Sequence, residues 1–253
     1  MSAAFAGKAV LVTGAARGLG LAVARAFRER GARVAVNDLK DEATGRAIAA
    51  LGGGPDLAAA PADISTAAGC RAAVEQAAAA FGRLDVLVNN AAINIERPPE
   101  AWDEALWDAH VDVILKGTFF CAQAALPALK AARGNIVNVA SELGLHGIRG
   151  NAGYCAAKGG VVNLTRAMAV ELAPIVRVNC VCPGTMDTEL MRQCAEDSGD
   201  AEAYYRHYRA YHPLKRIADP AEVAASIVYL ASPQAGFVTG AVLAVDGGST
   251  AGR

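Results

Sequence analysis

Tyr154 and Lys158 stand four residues apart in a segment of helical period, which places both side chains on one helix face. Ser141 lies thirteen residues upstream, at the end of a β-branched run. A tyrosine titrates near ~10 in water, but an ammonium beside it stabilises the phenolate and brings proton exchange toward neutral pH. With a serine hydroxyl bound to the reacting oxygen, such a pair can serve as acid and base at an alcohol or carbonyl carbon. Tyrosine and lysine at this spacing also occur on ordinary surface helices, so the rest of the chain must supply the second reactant.

It does so early on. The run Ala9 to Val12 leads into Thr13-Gly14-Ala15-Ala16-Arg17-Gly18-Leu19-Gly20 and then a helical stretch from Leu21 to Arg30. Glycines here let the backbone turn sharply and approach a pyrophosphate, which meets amide groups and the positive end of a helix dipole. The spacing is Gly-xxx-Gly-x-Gly rather than the generic Gly-x-Gly-x-x-Gly, so the strand, loop and helix context carries the reading. Asp38 closes the next β-branched run about 20 residues on, where a carboxylate can accept hydrogen bonds from an adenosine ribose and would repel a 2′-phosphate. This favours NAD over NADP, with Arg17 as the contrary sign; the competing role for Asp38 is a plain cap on the following helix. A dinucleotide beside Ser141, Tyr154 and Lys158 implies hydride transfer coupled to proton transfer, hence a secondary alcohol and its ketone.

These groups need a scaffold, and the periodicity supplies one. Ala9 to Val12, Arg33 to Asn37, Leu84 to Val88, Asn135 to Ala140, Arg177 to Val181 and Val242 to Val245 read as strands, with Asp56 to Ala60 a weaker one, and helical stretches lie between them. The alternation predicts a parallel α/β sheet covered on both faces. No repeat, linker or compositional break divides the 253 residues, so one domain over 1–253 is expected, with Gly52-Gly53-Gly54-Pro55 as a turn inside it. The stretch from Pro183 to His212 has no strand; a loop of that length is expected to be a substrate lid, drawn here as 185–212.

Twenty-four basic and 25 acidic residues nearly cancel, which gives no overall electrostatic footprint for nucleic acid or an anionic membrane. Apolar runs such as Ile136 to Ala140 fall short of membrane-spanning length, and Met1 to Gly7 is too short for a signal peptide, so a cytoplasmic protein without a membrane segment is expected. Cys70, Cys121, Cys155, Cys180, Cys182 and Cys194 include no Cys-x-x-Cys pair, and neither disulfides nor a metal is expected.

Taken together, the glycine loop, Asp63-Ile64, Asn89-Asn90-Ala91-Ala92, Ser141 with Tyr154 and Lys158, and Pro183-Gly184 with Thr188 resemble, in order and over essentially the whole chain, the short-chain dehydrogenase/reductase family. Phe237-Val238-Thr239-Gly240 through Asp246-Gly247-Gly248 looks like that family's last strand and tail. The resemblance implies a Rossmann-type doubly wound sheet of about seven strands and a nicotinamide cofactor. It further implies that Gly14, Arg17, Gly18, Leu19 and Gly20 cradle the cofactor, Asp63 and Ile64 flank the adenine, and Asn90 and Ala91 lie beside the dinucleotide. Lys158 would also hold the nicotinamide ribose, with Pro183, Gly184, Met186 and Thr188 near the carboxamide. Enzymes of this kind commonly assemble through the Tyr154 helix, where Gly159-Gly160 suggests close helix approach, and through the Leu106 to Leu129 helix; a homotetramer or homodimer is expected.

Two positions depart from the family pattern. Ala92 stands where a glycine is usual, which one methyl can tolerate. Ile114 in Val111-Asp112-Val113-Ile114-Leu115-Lys116-Gly117 stands where an asparagine usually helps hold a water beside the lysine. A backbone carbonyl holding that water, a substitute polar side chain, or reduced activity would each accommodate it; the first is preferred. For the substrate, Ile93, Asn94, Glu142 and His146 follow strand ends, where ligands of open α/β sheets gather. Tyr205 and Arg206, in the aromatic and basic run Tyr204 to His212, are candidate lid contacts, with Arg206 or Arg209 available to a carboxylate or polyol; a solvated helix or subunit contact is the plainer reading. The alternatives to an NAD-linked dehydrogenase are an NADP-linked carbonyl or ketoacyl reductase and a catalytically weakened nucleotide-binding regulator.

Overall fold

The structure, a computed structural model, describes residues 4–252; Met1 to Ala3 and Arg253, the ends of the expected 1–253 unit, lie outside the described residues. Seven strands among the described residues form one sheet: β1 (Ala9–Val12), β2 (Arg33–Val36), β3 (Leu57–Ala59), β4 (Val86–Asn89), β5 (Asn135–Val139), β6 (Arg177–Pro183) and β7 (Val242–Val245). Their spatial order is β3-β2-β1-β4-β5-β6-β7, and every neighbouring pair is parallel. The central strands β1, β4 and β5 are buried end to end because both faces of the sheet are covered there, whereas the edge strands β3 and β7 are partly exposed.

Helices α1 (Gly18–Arg28), α2 (Asp41–Ala50) and α9 (Pro220–Ala231) cover one face, packing Val23, Phe27, Ala47 and Ile227 onto Val10, Val34 and Val86. On the other, α3 (Ala67–Phe81) and α5 (Gly117–Ala132) lay Ala73, Ala77, Cys121 and Leu129 on Leu11, Leu87 and Ile136. α6 (Ala152–Leu172), the Tyr154 helix, joins that face and buries Ala157 and Val161 against Cys180 and Cys182. The sheet order reverses direction between β1 and β4, which opens a crevice at the carboxyl ends of the strands.

Three expectations need correction. The Pro183 to His212 stretch is not an irregular loop: it holds α7 (Glu189–Asp197) and α8 (Ala201–Tyr211), capped by the side chains of Thr188 and Asp200. Both are amphipathic at the helical period but poor in apolar residues; α7 buries Met191 and Ala195, and α8 buries no residue fully. Second, the helix expected over Leu106 to Leu129 is α4 (Glu104–His110), a π-helical turn at Val111–Lys116, and α5. Third, this composite, Glu104–Ala132, is long and apolar enough by length and composition to cross a membrane, at mean hydropathy 1.2, although the separate apolar runs are short. Its alanine and cysteine positions instead meet α3 and the sheet. The close helix approach inferred from Gly159-Gly160 occurs within the chain, since a Cβ on Gly160 would lie 2.8 Å from Leu115 Cδ2 of the π turn.

Candidate active site

The glycine loop leaves β1 as a tight arch that larger residues could not form. Gly14 has φ +61°, and a Cβ there would lie 2.7 Å from the Ala91 backbone. A Cβ on Gly20 would sit 2.3 Å from the Gly14 carbonyl oxygen, so α1 starts hard against the loop. Asn90 clamps the arch by donating from Nδ2 to the carbonyls of Thr13 (2.9 Å) and Gly14 (3.0 Å). The Thr13 hydroxyl accepts from the amides of Asn90 (3.0 Å) and Ala91 (3.1 Å). Thr13 is a member of this site that the sequence reading missed; its place directly before Gly14 is the signal that was available. Arg17 precedes α1 without a side-chain cap, as Lys40 and Asn151 precede α2 and α6, and no acidic residue stands in the first turn of α1. The amides and positive dipole end of α1 are thus left for an anionic ligand.

Asp38 follows β2 and does not cap α2, whose cap position is Lys40. Its carboxylate accepts from Leu39 N (2.8 Å) and Ala16 N (3.3 Å), which fixes it beside the glycine loop. Asp63 is exposed after β3 and accepts from Ser65 N, while the Ile64 side chain is buried in the α3 and α5 core. Pro183 ends β6, Gly184 and Met186 follow, and Thr188 caps α7 within 3.7 Å of where a Gly18 Cβ would project. A glycine cradle that a Cβ would fill, an uncapped helix start and a placed carboxylate fit a dinucleotide.

On the neighbouring strand end, Ser141 leaves β5 buried and its hydroxyl accepts from Leu143 N (3.1 Å). Lys158 is 2% exposed; its ammonium donates to the Val139 carbonyl at 2.7 Å and lies 5.6 Å from the Tyr154 ring centroid. Desolvation brings the lysine down to about 8, opposed by the nearby Cys180 and Cys182. Tyr154 moves opposite to expectation: burial pushes the phenol up to about 12, and the Ser141 hydroxyl only partly offsets this. Burial thus outweighs the hydrogen bond at the phenol.

Ile114 is buried at the π turn in a cluster with Ala140, Ala157, Val161 and Cys182. Its carbonyl accepts from the Thr118 hydroxyl at 2.6 Å. A backbone carbonyl, that of Val139, thus holds the lysine itself.

The substrate candidates are less converged. Ile93 is half-buried and Asn94 exposed on the loop after β4. Glu142 is buried, but its carboxylate meets the Ser249 hydroxyl of the C-terminal tail, and His146 Nε2 lies 3.9 Å from it. Tyr205 is half-buried in α8, where the Arg209 guanidinium covers its ring at 5.5 Å and pairs with Glu202; Arg209 is therefore not free for a substrate anion, whereas Arg206 is exposed. Trp102, packed where a Gly153 Cβ would project, braces the start of α6 beside Tyr154; nothing local in the sequence signals this contact. The six cysteines are free thiols, and no metal-binding cluster occurs among the described residues.

A family model described as enoyl-(acyl carrier protein) reductase matches residues 14–250. The chain is 41% identical to the 2-(S)-hydroxypropyl-CoM dehydrogenase 3 of Xanthobacter autotrophicus, over 99% of this chain and 100% of that protein. It is 42% identical to the cis-4-hydroxycyclohexanecarboxylate dehydrogenase of Sinomonas cyclohexanicum, with the same coverage. The chain belongs to the short-chain dehydrogenase/reductase family. A solved member, the glucose/ribitol dehydrogenase from Brucella melitensis, superposes with TM-score 0.91 at 36% identity, covering 98% of this chain and 99% of that one. Short-chain dehydrogenases act on CH–OH groups with NAD(P), and this protein is an oxidoreductase of that class.

Proposed function

We propose that the protein is an NAD-linked dehydrogenase that interconverts a secondary alcohol and its ketone, with Tyr154 as acid and base. One observation carries this reading: Lys158, anchored on the Val139 carbonyl beneath the Tyr154 ring, belongs to the same sheet edge as an open glycine cradle with Asp38 fixed beside it. A nicotinamide held by the glycine cradle would supply the hydride donor or acceptor for the carbinol carbon. Ser141 donates to the reacting oxygen, and Tyr154 takes or returns its proton. Lys158 supplies positive charge to the phenolate, which the desolvated phenol needs together with the charge of oxidised cofactor. Asp38 accepts from the ribose hydroxyls and repels a 2′-phosphate, which supports NAD over NADP.

The names of the two relatives, one a hydroxy carboxylate dehydrogenase, support a substrate whose secondary alcohol is joined to a polar or anionic group. Residues 185–212 act as its lid within a single catalytic domain. The enzyme assembles as a homotetramer or homodimer through α5 and α6, whose Phe119 (38%) and Val170 (81%) are exposed. A panel of polyols, sugars and hydroxy acids, oxidised with NAD and followed at the nicotinamide absorbance, tests the reaction. NADH should turn over faster than NADPH, and a preference for NADPH would overturn the cofactor choice. Burial of Ile114 where a polar side chain is usual favours a second reading, a weakened nucleotide-binding regulator, which would bind NADH yet oxidise none of the panel.

A further inference from the structure

His212 ends the helical excursion that begins at Thr185, and it joins the two ends. The imidazole is 1% exposed. Its Nδ1 lies 2.7 Å from the Asp246 carbonyl, and its Nε2 lies 3.4 Å from the backbone nitrogen of Thr185. The partners fix the tautomer: a carbonyl requires a proton on Nδ1, and an amide N–H requires a lone pair on Nε2. The ring is also wedged in place, because a Cβ on Gly184 would fall 2.8 Å from His212 Cε1 and one on Gly247 would fall 3.2 Å from His212 Cβ. Three segments thus meet on one imidazole: the turn after β6, the end of α8 and the tail after β7. The Thr185 carbonyl in turn accepts from Ala218 N (2.9 Å), and Met186 bridges Ala218, so the turn is held from both sides.

We infer that His212 is a positioning residue for the cofactor, fixing the Gly184–Met186 turn through the Thr185 amide. The inference rests on the proposed dinucleotide site, in which the family resemblance implies that this turn lies near the carboxamide. His212 holds the backbone of the turn, at the Thr185 nitrogen, so its loss loosens the turn without removing a ligand contact.

Isosteric variants separate the two arms, because asparagine reproduces a donor at the Nδ1 position and glutamine an acceptor at the Nε2 position. The measurements are hydrogen exchange of the Thr185 amide in the cofactor-free protein and the dissociation constant of NADH. Both His212→Asn and His212→Ala should expose the Thr185 amide and weaken NADH binding about 3- to 10-fold, the range of one buried neutral hydrogen bond. The Michaelis constant for the dinucleotide should rise likewise while kcat changes little, and His212→Gln should restore both protection and affinity. Unchanged Thr185 exchange in His212→Ala overturns the tether, and equal affinities or equal losses in the Asn and Gln variants overturn the positioning role. Wild-type protein that binds no dinucleotide overturns the cofactor reading and this inference with it, a result separate from Thr185 exchange, which reads the tether alone.

Discussion

At the scale of single residues, the site combines a lysine made less basic and a tyrosine made less acidic by the same burial. Lys158 is about 8 when folded and takes the ordinary 10.5 as its reference when unfolded. Between those values the unfolded chain binds a proton that the folded one does not, so stability contributed by this group rises with pH through that window. Urea denaturation of wild type and Lys158→Met at about pH 7.5 and about pH 10 should show the wild type gaining on the variant as pH rises; a constant gap would contradict the burial. Ile114→Asn should keep or raise turnover, as the family pattern suggests, but it places an amide among Ala140, Ala157 and Val161. It should therefore also destabilise the fold by about 1–3 kcal/mol, read as a lowered Tm. The candidate residues Ser141, Tyr154, Lys158 and the loop glycines could be singled out from side-chain chemistry and spacing, and the structure sets them on neighbouring strand ends. The carbonyl that holds Lys158 could not be, because a backbone oxygen from a neighbouring strand leaves no trace in residue type.

At the scale of elements, the decisive device is the contact of loop on helix start. Gly20→Ala should abolish measurable NADH binding or shift it at least about tenfold, since its methyl would strike the backbone at the Gly14 carbonyl and Ala15 Cα, where no flexible side chain can give way. Retention of wild-type affinity, measured by fluorescence titration, would contradict the cradle. The strands were readable to within about two residues because Val and Ile runs are buried on both sides. Boundaries moved where tertiary contacts decide, as in β6, which runs on to Pro183 by pairing with β7. The π turn at Val111–Lys116 is likewise a tertiary product: Leu115 presses on Gly160 of α6, and no one-dimensional period encodes the extra residue. Of the two helices in the lid, α8 matches the solvated helix that is the plainer reading of Tyr204 to His212, whereas α7 went unread because it turns only Met191 and Ala195 to the core.

At the scale of the whole molecule, the parallel sheet brings residues as distant as Gly14, Ser141 and Thr188 to one edge, an arrangement that motif order implied through resemblance but that strand periodicity alone could not have ordered. The apolar residues left open on α5 and α6 are the ones assembly should cover. Light scattering should report two or four times 25.9 kDa, and Phe119→Glu with Val170→Glu should reduce it to one; a wild-type monomer would contradict the assembly. The central claim concerns the Tyr154 hydroxyl, whose proton must be exchanged while the carbon exchanges hydride. Tyr154→Phe, assayed on the best alcohol of the panel with NADH affinity measured alongside, tests it most directly. The phenyl variant should bind NADH as the wild type does while kcat falls by about 10²–10⁴; turnover that stays at the wild-type level would contradict the account.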